Sequence, residues 1–150
     1  MIVAVHGLFE AHLAVADLET STAFYRDVVG LQLAHVASER QAAFFWIGPR
    51  GNAMLGLWAA RPPGSTTHVA FAATLEDVLA APRTLRSAGV TPLDFDGEPA
   101  DQPVVLAWMP AASVYFRDPD GHLLEYIAML PDEPDPDAGV VPWHQWQQGG

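Results

Sequence analysis

The chain of 150 residues contains no cysteine and no lysine. Without cysteine there is no disulfide and no thiolate nucleophile. Without lysine there is no Schiff base and no phosphate-loop lysine. Positive charge comes only from seven arginines, set against 18 acidic residues for a net charge of -11. Such a chain has little with which to hold nucleic acid or an anionic membrane surface. No apolar run approaches the roughly 18 residues needed to cross a bilayer. The start, Met1-Ile2-Val3-Ala4-Val5-His6, lacks the basic segment of a secretory signal, so a cytoplasmic protein is expected. Half of the residues are apolar, which excludes general disorder and suits a single domain with a sizeable core. Any catalysis is left to a metal and to acid-base side chains.

What is present is a repeat. Phe9-Glu10-Ala11-His12-Leu13-Ala14-Val15 alternates and precedes Asp17-Leu18-Glu19 and a helical stretch ending at Gly30. Thr67-His68-Val69-Ala70-Phe71-Ala72 alternates likewise and precedes Thr74-Leu75-Glu76-Asp77 and a helical stretch ending at Gly89. The halves close in parallel: Gly48-Pro49-Arg50-Gly51-Asn52 stands before Ala53 to Trp58, and Asp118-Pro119-Asp120-Gly121-His122 before Leu123 to Tyr126. Each half reads strand, helix, then three strands, an α+β pattern. Module one is expected over about residues 8–60, module two over about 66–129, and a C-terminal strap over about 131–150.

Parity assigns sides, because successive strand residues point to opposite faces. Phe9, Ala11, Leu13 and Val15 share a face that suits cover by a helix, which leaves His12 on the other. Val69 and Phe71 oppose His68 in the same way, and Glu125 lies in the closing strand of the second half between Leu124 and Tyr126. A histidine in an apolar strand is ordinarily structural. Two at matching positions of a repeat, with a carboxylate whose burial needs a positive partner, point to a metal. Two neutral imidazoles and one carboxylate make a facial triad with positions open to substrate and water.

The segment Val114-Tyr115-Phe116-Arg117-Asp118-Pro119-Asp120-Gly121-His122-Leu123-Leu124-Glu125-Tyr126 resembles the vicinal oxygen chelate superfamily, and the likeness extends over about residues 8–129. That superfamily includes glyoxalase I, extradiol dioxygenases, fosfomycin-modifying enzymes and bleomycin resistance proteins. The resemblance implies two βαβββ modules forming a curved mixed sheet, with a divalent metal on the concave face. It places His12, His68 and Glu125 on three ligand positions and implies a homodimer. The Asp-Pro-Asp-Gly stretch itself reads as a tight turn.

Departures from the family narrow the chemistry. Glyoxalase I uses a further acid at the close of the first module, and Ala53 to Ala60 has no acid, amide or histidine. Extradiol dioxygenases carry a tyrosine ten residues before the ligand glutamate, the place of Tyr115, and a histidine upstream of it. Leu106, Ala107, Trp108 and Met109 provide no such histidine, which leaves His6, His35 or His144 for that role. The fosfomycin thiol transferases have threonine where Ala14 stands, and phosphonate capture without lysine is disfavoured. The metal-free bleomycin-binding branch lacks the ligand set.

Elsewhere the residues read as scaffold. The first helix should start near Asp17 or Leu18, bury Leu18, Tyr25, Val28 and Val29, and stop at Gly30. Thr74 with Asp77 begins the second, which Pro82 should kink or interrupt. Asp94, Asp96, Glu98 and Asp101, and then Asp132, Glu133, Asp135 and Asp137, read as solvated loops, the first with a possible second role as a lid. The segment Val140 to Trp146 is too aromatic for a free tail and should pack on its own subunit or a partner. Trp46, Trp58, Trp108 and Met109 are core residues or lining of an apolar pocket.

Together these features describe a divalent-metal-dependent enzyme that chelates neighbouring oxygens of a small substrate, by dioxygenase or lyase/isomerase chemistry. His12, His68 and Glu125 would be ligands of Fe(II), Mn(II), Ni(II) or Zn(II), and Tyr115 with Glu125 the catalytic groups. The alternative is a small-molecule binding or resistance protein of the bleomycin-binding type without catalysis.

Overall fold

A computed structural model describes residues 4, 7–60 and 64–149. The chain divides into two compact units, residues 1–66 and 67–150. Each is a βαβββ module with its own mixed sheet, one of four strands and one of five, and the class is α+β.

In the first module β1 (Glu10–Val15) leads into α1 (Leu18–Asp27), followed by β2 (Gln32–Ala37), β3 (Ala42–Ile47) and β4 (Ala53–Ala59). The sheet order is β1-β4-β3-β2, so β1 lies parallel to β4 and the rest are antiparallel. Alternation does what parity requires: Leu13 and Val15 of β1, Phe45 of β3, and Leu55 and Leu57 of β4 are buried with Tyr25 of α1. Asp17 caps α1 by accepting the Thr20 N–H at 2.7 Å. The helix ends with Gly30 at φ +80, where the Leu31 N–H reaches back to the Tyr25 carbonyl, a left-handed cap that suits glycine. Ser21 is buried on α1 along with Tyr25, whereas Leu18, Val28 and Val29 are only half-buried. The buried stripe is narrower than the apolar pattern suggested.

In the second module β5 (His68–Ala72) leads into α2 (Leu75–Ser87), followed by β6 (Val104–Leu106), β7 (Ala111–Arg117) and β8 (Leu123–Met129). Thr74 caps α2 through the Asp77 N–H at 3.1 Å. Pro82 does not interrupt the helix. It is buried together with Val78, Ala81 and Leu85 where α2 packs on β7 and β8, and this burial offsets one missing backbone hydrogen bond.

The C-terminal segment packs on its own module. β9 (Val140–Pro142) pairs antiparallel with β6 and completes the order β5-β8-β7-β6-β9, and α3 (Trp143–Gln148) follows. The Trp143 N–H bonds the Pro103 carbonyl, and the Trp146 indole N–H bonds Asp132 Oδ2 at 3.2 Å. β9 thereby covers the ladder edge that β6 would otherwise present.

The acidic loops build turns. Asp94 Oδ1 accepts the N–H groups of Asp96 and Glu98, and Asp118 Oδ1 accepts those of Asp120 and His122, so the Asp-Pro-Asp-Gly stretch is structural. No helix among the described residues is long and apolar enough to cross a membrane, which says nothing of strand-built membrane proteins.

Candidate metal and acid-base site

In the second module the strand register brings three of the sequence-singled side chains together. β5 lies parallel to β8 with His68 opposite Leu123, so Glu125 lies two residues further along the neighbouring strand. β7 lies on the other side of β8 with Tyr115 opposite Glu125. His68 Nε2 stands 2.9 Å from Glu125 Oε2, and His68 Nδ1 stands 3.2 Å from the Leu123 carbonyl oxygen. The His68 and Tyr115 rings are 6.2 Å apart.

Donor and acceptor bookkeeping makes this pair informative. A carbonyl oxygen only accepts, so Nδ1 of His68 carries the hydrogen and donates it. In a neutral ring Nε2 then presents a lone pair, and so does an ionised Glu125 oxygen. Two acceptors at 2.9 Å need a shared positive charge, either a proton or a metal cation. Glu125 is 4% exposed, and the Tyr115 hydroxyl bears on its carboxylate as a side-chain hydrogen-bond donor. A buried carboxylate 2.9 Å from an imidazole nitrogen fits a shared positive charge, a divalent cation among them. The backbone carbonyl behind His68 fixes the ring in the tautomer that a metal requires.

Tyr115 is buried, and its hydroxyl is held well above the ordinary tyrosine range, by burial first and then by the negative charge of Glu125. It therefore stays a protonated donor in neutral solution. Ser113 lies two residues earlier on the same face of β7, fully buried, and its hydroxyl bears on that of Tyr115. Sequence reading missed Ser113. Its signal was parity with Tyr115 inside a strand that is otherwise apolar. His122, also missed, is buried and accepts the Thr67 N–H on Nδ1 at 2.9 Å, which ties the start of β5 to the β7-β8 turn.

The first module holds His12 in different company. His12 lies opposite Gly56 on β4, and a Cβ added at Gly56 would stand 2.7 Å from His12 Nδ1. Glycine is needed there for space. Trp58, two residues past Gly56, donates its indole N–H to His12 Nδ1 at 2.5 Å. His12 Nε2 faces Glu10 Oε1 at 3.5 Å. Phe44 packs its edge against both the His12 and Trp58 rings, and His35 stacks on Phe44 at 6.5 Å. Glu10 was not singled out in the sequence, although it shares the His12 face by parity.

The register shows that Trp58 holds the place in module one that Glu125 holds in module two: each lies two residues past the residue opposite the histidine, and each bonds that histidine. The acid missing between Ala53 and Ala60 is replaced here by an indole. Among the described residues no group of three His, Cys, Asp or Glu side chains forms a metal-binding cluster. His68 and Glu125 are the two candidate ligands that one module brings together by itself.

Of the histidines considered as acid-base partners, His35 stacks on Phe44 in module one, and His144 is bonded through its backbone N–H and Nδ1 to Gln102 Oε1. His6 lies outside the described residues. Trp46 and Trp58 are half-buried, whereas Trp108 is 62% exposed and lines no core.

Comparison with known proteins follows the same architecture. The model of the Glyoxalase/Bleomycin resistance protein/Dioxygenase superfamily matches residues 7–126. Among solved structures, an integron cassette protein from the mobile metagenome of the Halifax Harbour sewage outfall is 31% identical, with a TM-score of 0.71 over 83% of this chain and 100% of that one. A glyoxalase/bleomycin resistance protein/dioxygenase from Nocardioides is 26% identical, with a TM-score of 0.65 over 89% of each chain. Lactoylglutathione lyase from Agrobacterium tumefaciens is 25% identical, with a TM-score of 0.61 over 81% of this chain and 92% of that one.

Proposed function

The chain belongs to the glyoxalase/bleomycin resistance protein/dioxygenase superfamily, and from that footing we propose that it is a divalent-metal-dependent enzyme acting on a small substrate with neighbouring oxygens. The observation that carries this reading is the His68–Glu125 pair, an imidazole nitrogen 2.9 Å from the oxygen of a carboxylate that is 4% exposed. His68 and Glu125 would hold the metal in module two, and His12 is a separate candidate ligand in module one. Similar proteins named as a lactoylglutathione lyase and as a glyoxalase/bleomycin resistance protein/dioxygenase make lyase or dioxygenase chemistry the reaction classes to test.

When bound, the metal would supply Lewis-acid polarisation of the substrate oxygens. The chain's own residues do the rest. Burial in β8 holds Glu125 in place, and the Leu123 carbonyl fixes the His68 ring. Tyr115, kept protonated, offers an O–H to a substrate oxygen that gains negative charge, and burial around it limits access of water. With no side-chain ligand between Ala53 and Ala60, the shell keeps positions for substrate or solvent. A homodimer is part of this proposal.

Elemental analysis of protein purified without chelator tests the reading. One transition metal per chain is expected, and it should be lost in His68→Ala and Glu125→Ala. A metal-free wild type that also fails to take up Fe(II), Mn(II), Ni(II) or Zn(II) would replace the enzyme with a small-molecule binding protein.

A further inference from the structure

We propose that Phe95 is a specificity-determining residue of the module-two site: it stands as an apolar wall beside Tyr115, and the substrate carries an uncharged apolar group next to the oxygens that this site holds. Phe95 takes this role on the reading above, in which His68 and Glu125 hold the metal.

One row of residues runs across the second sheet. Ala70 of β5 lies opposite Glu125 of β8, and Tyr115 of β7 lies opposite Glu125 from the other side. Leu93 continues the row by an antiparallel bridge to Tyr115. Its N–H bonds the Tyr115 carbonyl at 2.7 Å, and its own carbonyl accepts the Tyr115 N–H at 3.1 Å. Phe95, two residues further on, meets the Tyr115 ring edge to face, with centroids 6.2 Å apart and planes at 76°. The Tyr115 ring also stands 6.2 Å from that of His68, so three rings link the candidate ligand to Phe95.

The turn that carries Phe95 is fastened along its length. Asp94 Oδ1 accepts the N–H groups of Asp96 and Glu98, and the Asp94 N–H bonds the Glu98 carbonyl at 2.8 Å. Gly97, at φ +81, returns its N–H to the Asp94 carbonyl, and Leu93 is bridged to Pro99. Phe95 thus has a fixed place, yet it is 57% exposed while Tyr115 is 6% exposed. A large apolar ring held in place beside a polar site and left open to water is surface for a ligand to cover. Ala70 and Ala72 share the His68 face of β5 by parity and are exposed and short, so the other flank of Glu125 gives room but no comparable contact. The carboxylates of Asp94, Asp96 and Glu98 in the same turn disfavour a negatively charged group against Phe95.

Acetohydroxamate and benzohydroxamate present the same two neighbouring oxygens and differ only in the group beside them. In calorimetric titrations, Zn(II)-loaded wild type should prefer benzohydroxamate. Phe95→Ala should shrink that preference roughly 2- to 10-fold, the factor that one aromatic contact represents. Phe95→Leu, which keeps an apolar side chain, should restore part of it. In the wild-type complex, intermolecular NOEs should join the phenyl protons of benzohydroxamate to the Phe95 ring. Equal preference in wild type and Phe95→Ala, with both hydroxamates bound, overturns the role of Phe95 and leaves the metal site standing, and so does a benzohydroxamate complex with no NOE to Phe95. Failure of the protein to take up Zn(II), or of the loaded protein to bind either hydroxamate, removes the metal reading together with the role of Phe95.

Discussion

The two modules place a histidine at matching strand positions and then treat it in opposite ways. His68 faces a backbone carbonyl with Nδ1 and sets Nε2 2.9 Å from Glu125 Oε2. His12 has its Nδ1 lone pair taken by Trp58 and faces Glu10 with Nε2. The backbone is common to both, and the difference lies in one side chain at one register position, a carboxylate against an indole. A repeated fold can thus keep a histidine at the same strand position while changing the side chain that it meets.

The largest expected effect comes from setting the halves against each other as ligand donors. His68→Ala and Glu125→Ala should abolish stoichiometric metal, whereas His12→Ala should weaken affinity less, because module two alone sets a histidine against a buried carboxylate and the Nδ1 of His12 is already bonded by Trp58. Calorimetric titration with Zn(II) measures all three, and a His12→Ala variant more damaged than His68→Ala would reverse the ranking of the modules. Next is Gly56→Ala, which crowds His12 and Phe44. It should cost about 1–3 kcal/mol, the usual penalty of overpacking, read as a fall in the unfolding midpoint in urea. The matching position in module two already carries Leu123, so Leu123→Ala relieves no clash.

The caps are where the modules should agree. Asp17→Ala and Thr74→Ala each remove a side-chain acceptor at a helix start, and each should cost about 1 kcal/mol in the same denaturation measurement. A large difference between them would show that one module carries more of the stability. Smallest at neutral pH is the alkaline response of module two. Burial pushes Tyr126 up to about 12 and holds Tyr115 above its ordinary range. Both therefore contribute stability that is fully present below the unfolded tyrosine pKa of about 10 and is lost as pH rises through the folded value. Tyr126→Phe should flatten the fall in stability between about pH 10 and 12.

Much of this was legible in the sequence because it is local. Alternation gave the sides of β1 and β5, turn residues gave the strand breaks, and Gly30 and Gly89, both at positive φ, marked the helix ends. His68 and Glu125 were found by parity and by their apolar strand setting, and Tyr115 through the family resemblance, which puts a tyrosine ten residues before the glutamate. Register across distant strands was not legible. Nothing near Trp58 says that it will bond His12, 46 residues away, or that Gly56 must stay small for the same ring. Pro82 was read by its backbone penalty alone, since the burial that offsets it is a tertiary fact. The strap's partner was open for the same reason: Val140 to Trp146 is apolar, and only the pairing of β9 with β6 shows which edge it covers. Glu10 carries no local mark beyond parity, and its meaning comes from the ring that it faces.

The claim at the centre is that His68 and Glu125 share a divalent cation. Metal content of chelator-free protein, measured alongside Glu125→Gln, tests it most directly, because glutamine keeps the shape of the side chain and removes its charge. One transition metal per chain in wild type and a large loss in Glu125→Gln is the expected result. Wild type and Glu125→Gln with the same metal content, whether full or none, would contradict it.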